Sequence, residues 1–252
     1  MIRYKLGKRD ASPARGLMYG AIFNPDMLPT PPKIFGHELL LAGGNWGMLG
    51  NDKCGDCTAC DAAHQTMLWS LEGGKPAAQF TTKDVIADYS AISGYNGTEA
   101  TDTGCDMQDV ANYRQKTGVI DASGIRHKIQ SFASLKAGNL SQLAQAAYIF
   151  GAVSVGVQLP SSAEDQFDAQ KPWSVAAGDT IEGGHCITIV GMNSAGNFLL
   201  LTWGRLHAAT SAWLSTYMDE AIAPLSLEML NAKGVSPEAY DVPTLTKYQG
   251  EF

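Results

Sequence analysis

Three cysteines fall three residues apart in GNDKCGDCTACDAAH, at Cys54, Cys57 and Cys60, and His64 follows four residues later. Thiols and an imidazole at such spacings suit two chemistries. One is a zinc or iron–sulfur clamp, which draws its ligands from short Cys and His repeats. The other is a sulfur nucleophile, which needs an environment favouring thiolate and a base brought in by the fold. An iron–sulfur run would prefer a fourth cysteine followed by proline, whereas His64 is followed by Gln65. One continuous helix from Cys57 would align Cys57, Cys60 and His64 but force Cys54 to fold back. No metal and no cofactor is assigned on this pattern.

Cys57 is the better nucleophile. The residues before it are turn-like, and Gly55 permits a tight turn. From Cys57 onward, Cys60, Ala63, Met67, Leu68 and Leu71 recur at steps of three and four until Gly73 and Gly74 stop the run. A thiol at a helix N-terminus faces unpaired N–H groups and the positive end of the macrodipole, and both favour thiolate. Asp56 opposes this unless its carboxylate points elsewhere. The matching base is His185, which starts the apolar strand of EGGHCITIVGM. Gly183 and Gly184 before it, like Gly55, would let a substrate backbone approach closely. Asp179 and Glu182 stand near enough in sequence to pair with His185, although loop carboxylates are usually solvated. His37, His127 and His207 have no constellation around them.

Helices must position the thiol, and strands the imidazole. TTKDVIADYSAISG reads as a helix capped by Thr81 or Thr82, DMQDVANYRQKTG as a helix closed by Gly118, and NLSQLAQAAYIFG as a helix capped by Asn139. AVSVGVQL, HCITIVGM and NFLLLTW read as strands, with NSAGN as a hairpin turn between the last two. AWLSTYMDEAIAPLSLEML is mixed, with two strands around a short helical turn as the expectation. Helices before strands imply an α+β protein of two lobes. The divisions expected are an extended, basic and Pro-rich lead-in over 1–35, a helical lobe over 36–135, and a β-rich lobe with a C-terminal extension over 136–252.

Taken together, these segments resemble the papain-like cysteine peptidases over roughly residues 30 to 225. KCGDCTAC looks like their nucleophile segment, which marks Cys57 as the attacking residue. GHCITIVG looks like their histidine strand, giving His185. LTWG looks like their Asn-Ser-Trp-Gly motif, GAVSVGVQL like the strand opening the second lobe, and TGCDMQDVANYRQKTG like their Gly-Cys-x-Gly-Gly segment with its helix. The resemblance implies a two-lobe fold, with a helical first lobe, an antiparallel β-barrel-like second lobe and the site in the cleft between them. It also implies an acyl-enzyme mechanism. The side-chain amide that holds the oxyanion falls at Asn51, where the family has Gln. The group that orients the histidine falls at Leu201, which cannot hydrogen-bond imidazole, so packing under Trp203, the Thr202 hydroxyl, a backbone carbonyl or water must hold the ring. Thr58 replaces the Trp after the nucleophile. The resemblance leaves open a disulfide between Cys54 and Cys105, and Cys60 and Cys186 read as small buried apolar residues. More narrowly, the chain resembles short papain-like proteins encoded by bacteria and their phages.

The chain has 252 residues and a net charge of -7. Arg3, Lys5, Lys8, Arg9 and Arg15 against Asp10 give the first fifteen residues a net +4, which leaves -11 for the rest. An acidic body argues against nucleic acid as its main partner. The basic arm reads as a solvated tail, or as a contact for phosphate or an acidic protein surface. No segment is apolar enough to span a membrane. The basic N-terminus has no apolar block behind it, so a secretory signal is not expected; nor, by comparison with the secreted members of the family it resembles, is a long inhibitory pro-segment. Five cysteines then point to a reducing compartment, cytoplasmic, or a virion for a phage-encoded chain. The function expected is a thiol hydrolase cleaving a peptide or isopeptide bond in a protein substrate through Cys57 and His185. The alternatives are a papain-fold binding or structural protein, such as a virion component, and a transglutaminase-like acyl transferase. A cleft plugged above the pair would favour binding over chemistry.

Overall fold

The computed structural model describes residues 4–14, 28–36 and 46–250. In chain order the elements are β1 (Phe35–Gly36), α1 (Cys57–Glu72), α2 (Thr82–Ser93), α3 (Met107–Lys116), β2 (Val119–Ile120), β3 (Arg126–His127), β4 (Ser131–Leu135) and α4 (Leu140–Phe150). They continue with β5 (Val153–Pro160), α5 (Ala163–Asp168), β6 (Ile181–Met192), β7 (Phe198–Thr202), β8 (Arg205–Ala209), α6 (Ser211–Tyr217), β9 (Met218–Leu225) and α7 (Val242–Gln249). No helix among the described residues is long and apolar enough to cross a membrane.

The fold is α+β with two lobes, as the order of helical and strand patterns implies. An antiparallel sheet in the order β4-β9-β5-β6-β7-β8, with β1 on β6, forms the second lobe. Local chemistry sets the helix ends. Thr81 and Asp84 form a reciprocal capping box on α2, and Gly94 closes that helix at φ +79°. Asp106 and Asn139 accept first-turn N–H groups of α3 and α4. Asn193 and Asn197 close the β6–β7 hairpin.

Tertiary pairing overrides the sequence pattern in two places. Ser131–Leu135, expected in the helical lobe, pairs with β9 and belongs to the sheet. Segment 212–230 is a helix, a single strand and a 3-10 turn at Leu227–Met229, because Met218–Leu225 is held on both sides, by β4 and by β5. The strand β8 and the helices α5 and α7 carry no pattern strong enough to be read in advance.

Helix α1 is the centre of the molecule. All but one of its sixteen residues are buried, so it has no solvent face. Ala59, Cys60, Ala62 and Ala63 face the helical-lobe cluster of Val85, Tyr89 and Val110. Met67, Leu68 and Trp69 join the main core with α4 and the sheet. Between these contacts sits a polar clamp. The buried Asp61 carboxylate accepts from Gln65 Nε2 at 2.9 Å and from the hydroxyls of Ser154 on β5 and Thr188 on β6. Gln65 in turn donates to Ser154 at 2.7 Å and accepts from Arg114 of α3 at 2.9 Å.

Removing one member of a buried network leaves the others unsatisfied. Asp61→Ala is therefore expected to destabilise the fold by about 3 kcal/mol, read as a lowered midpoint in urea unfolding. An unchanged midpoint would show that the clamp contributes nothing.

Candidate active site

Helix α1 begins at Cys57 itself, and among the described residues no side chain caps its first turn. Asp56, at the N-cap position, instead accepts from the Cys60 thiol at 3.4 Å. His185 lies on β6 opposite Val157 of β5. Cys57, His185, Asn51, Leu201, Thr202 and Trp203 all line one cavity of ≈ 10 Å³, about the room one water molecule needs.

The imidazole is held from two sides. Its Nε2 is 2.7 Å from Thr202 Oγ1, and Trp203 stacks on its face with ring centroids 4.8 Å apart. Of the four groups open on sequence grounds, the Thr202 hydroxyl and the Trp203 face hold the ring, while Leu201 sits in the core. When Nε2–H donates to Thr202, Nδ1 carries the lone pair, and among the described residues it has no hydrogen-bond partner. The β7–β8 turn sets the indole. Thr202 pairs with Arg205, leaving Trp203 and Gly204 as a two-residue loop at φ +46° and +71°. Such a turn suits the strand twist but strains a residue as bulky as Trp.

The N-terminal arm fills the cleft, which overturns the expectation of a solvated tail. Lys5 N–H donates to the Asn51 carbonyl and Asn51 Nδ2 donates to the Lys5 carbonyl, each at 3.0 Å. Lys8 N–H donates to the Gly184 carbonyl at 3.1 Å, while Gly7 and Arg9 bond the backbone of Cys105 at 2.8 and 2.9 Å. Tyr4 stacks on Trp203 at 4.3 Å. The cleft glycines admit this backbone. A Cβ on Gly184 would stand 2.2 Å from the Lys8 carbonyl oxygen, and one on Gly55 2.9 Å from that of Leu6. Gly183 faces the Leu6 side chain.

Burial reverses the expected electrostatics. The Cys57 thiol is pushed up to about 12, chiefly by desolvation, with the amides of Cys186 and Gly7 pulling it part way back. Burial alone pushes His185 down to about 3. With the arm docked, thiol and imidazole are both neutral, and the helix terminus does not outweigh the loss of water.

The remaining candidates are placed elsewhere. Cys54 and Cys105 are free thiols, and Cys54 Sγ points at the Gly50 carbonyl, 3.7 Å away, so the implied disulfide is not formed. His64 Nε2 lies 3.1 Å from the carbonyl oxygens of both Trp46 and Gly47, and the Cys-x2-Cys-x2-Cys-x3-His run does not converge. Among the described residues no group of three or more His, Cys, Asp or Glu side chains is placed to hold a metal ion. Asp179 bonds Ser162 and Tyr217 rather than His185. His127 sits between Glu228 and Asp121, and His207 packs on Phe167 and Trp173. His37 lies outside the described residues. Sequence reasoning missed the arm contacts of Tyr4, Gly7 and Lys8. The one signal available was the opposite charge of arm and body.

No family model matches the sequence, and no curated protein matches it. Solved structures do. Xylellain, a cysteine protease from Xylella fastidiosa, superposes with a TM-score of 0.66 at 13% identity, covering 90% of this chain and 98% of that one. Digestive procathepsin L 3 of the Tenebrio molitor larval midgut gives 0.60 at 13% identity, covering 88% and 76%. The fold is papain-like. Amb a 11, a cysteine protease and major ragweed pollen allergen, in its proform, gives 0.58 at 17% identity, covering 79% and 68%. In this papain-like frame the thiol is on the buried helix of one lobe and the imidazole on the sheet of the other.

The neutral His185 predicts a pH dependence. The unfolded chain takes up a proton below 6.5 and the folded chain only below about 3, so this residue's contribution to stability falls as pH drops through that window. At about pH 5 the loss is about 2 kcal/mol. The stability difference between wild type and His185→Gln should shift by that amount, against the wild type, between about pH 7.5 and pH 5 in urea unfolding. A pH-independent difference would mean that the ring is hydrated or charged.

Proposed function

We propose that the chain is a cysteine peptidase held at rest by its own residues 4–9. The observation that carries this reading is the single cavity shared by Cys57 and His185, with the ring fixed by Thr202 and Trp203 and the Asn51 amide at its edge. His185 Nδ1 takes the Cys57 proton, and the thiolate adds to an amide carbonyl carbon. The carbonyl oxygen takes up the electron pair and is held by Asn51 Nδ2 and the uncapped Cys57 N–H. The C–N bond then breaks, and the amine departs with the proton from His185. Water, giving its proton to His185, adds to the resulting thioester, and the sulfur leaves.

The docked arm blocks each part of this sequence. The Lys5 carbonyl occupies the Asn51 donor. The cavity that remains has no room for a substrate. Exclusion of water holds Cys57 and His185 uncharged, and releasing the arm would rehydrate them and favour the ion pair. The filled cleft also favours a second reading, a binding protein without catalysis. Against that, the plug is the chain's own backbone, held largely by main-chain hydrogen bonds that water or a substrate can replace.

Gly7 offers the test, because a Cβ there would stand 1.8 Å from the Gly55 carbonyl oxygen and no side chain fits without moving the arm. Gly7→Ala should raise the rate of Cys57 alkylation by iodoacetamide at least about tenfold, mapped by mass spectrometry, ahead of the other four thiols. In that background Thr202→Val should slow labelling by an epoxide probe of papain-like enzymes, while Thr202→Ser preserves it. Cys57 remaining as inert as Cys60 after arm release would support the binding protein instead.

A further inference from the structure

Lys8 is buried, although its arm neighbours Lys5 and Arg9 are not. Its side chain has no exposed surface, and Nζ is 2.8 Å from Asp219 Oδ2 and 3.5 Å from Glu220 Oε1. It also donates to the Arg9 carbonyl at 2.9 Å. A buried lysine needs such compensation, because an ammonium removed from water is costly unless it is paired.

The pocket around it is built by the sheet. Neighbouring residues of a strand normally face opposite ways. Here the β5–β9 register shifts between Gly156, which pairs with Glu220, and Val157, which pairs with Met218. Asp219 is the extra residue of that bulge, and both carboxylates reach the same ammonium. Bulges re-aim side chains in this way near functional sites. Gln158 Nε2 fixes Asp219 by donating to Oδ2 at 2.6 Å. Gly156 leaves the channel for the stem, since a Cβ there would stand 2.1 Å from Lys8 Cε. Among the described residues Glu220 Oε2 has no hydrogen-bond partner, and Oε1 meets only the Lys8 ammonium at 3.5 Å, so the pocket keeps acceptor capacity for a second N–H donor. Burial pushes Glu220 up to about 7 even with Lys8 beside it.

This pocket opens on the cleft. The residue that fills it bonds through its own N–H to the carbonyl of Gly184, next to His185. We propose that Asp219, Glu220, Gln158 and Gly156 form a specificity pocket for a basic side chain, Lys or Arg, of the peptide substrate, and that Lys8 occupies it while the arm is docked. This rests on the peptidase reading above. The arm is thus a competitor for the same recognition that selects the substrate.

The test uses the full chain carrying Gly7→Ala and irreversible peptidyl ketone probes that differ in one side chain, Lys, its uncharged isostere norleucine, or Glu. The variable side chain is placed first or second before the reactive carbonyl. Labelling of Cys57 by the lysine probe is expected to be at least about tenfold faster than by norleucine, with glutamate slowest. Asp219→Asn with Glu220→Gln should erase that difference. Equal rates, with iodoacetamide still labelling Cys57, would overturn the pocket and leave the peptidase reading standing. Should Cys57 resist iodoacetamide and every ketone, the peptidase reading fails and a second measurement decides the pocket. In the Lys8→Ala chain, butylammonium should raise the thermal midpoint where butanol does not, and the Asp219→Asn, Glu220→Gln pair should abolish the rise. No difference between the two solutes would overturn the pocket as well.

Discussion

The site depends on where the first turn of α1 is pinned against the sheet, and the Asp61 carboxylate does the pinning. It lies one helical turn beyond Cys57 and is shared with hydroxyls on β5 and β6. A hydrophobic contact alone would let the helix slide along its axis at little cost, because apolar burial has no direction. Hydrogen bonds to two strands do not slide. His185 is on one of those strands, so the clamp that locates the helix also locates the thiol relative to the imidazole.

The second governing constraint is water. Thiolate and imidazolium are each costly in a dry site, and the arm makes this one dry. Desolvation raises the sulfur and lowers the ring by amounts larger than a helix terminus supplies. The protonation of the Cys57 thiol is therefore set by its solvation, with no change needed in the residues themselves. The arm docks through main-chain hydrogen bonds to Asn51, Gly184 and Cys105, with Tyr4 on Trp203 and Lys8 between two carboxylates as its side-chain anchors.

Much of the frame was legible. The helix starts at Cys57, the Thr81 and Asn139 caps and the Asn193–Asn197 hairpin all follow from local rules, and local rules act over a few residues. The strand Ser131–Leu135 was not legible, since its pairing partner lies about ninety residues away on β9. The orienting hydroxyl was open among four groups until the β7–β8 turn fixed the direction of Thr202 and Trp203. The Cys54–Cys105 bond implied by resemblance is absent. The bulge at Asp219 leaves no mark in sequence, because an extra residue in a strand shows only against its partner.

The sequence by itself determined the residue types, a thiol at a helix start and an imidazole at a strand start, together with the charge opposition of arm and body. Those are properties of short windows and of sums over them. Only the tertiary structure decided that residues 4–9 lie on the thiol, that thiol and imidazole are both uncharged there, and that two consecutive carboxylates face one ammonium. Each of these is a matter of desolvation and of contact between segments remote in the chain, and neither is a function of local sequence.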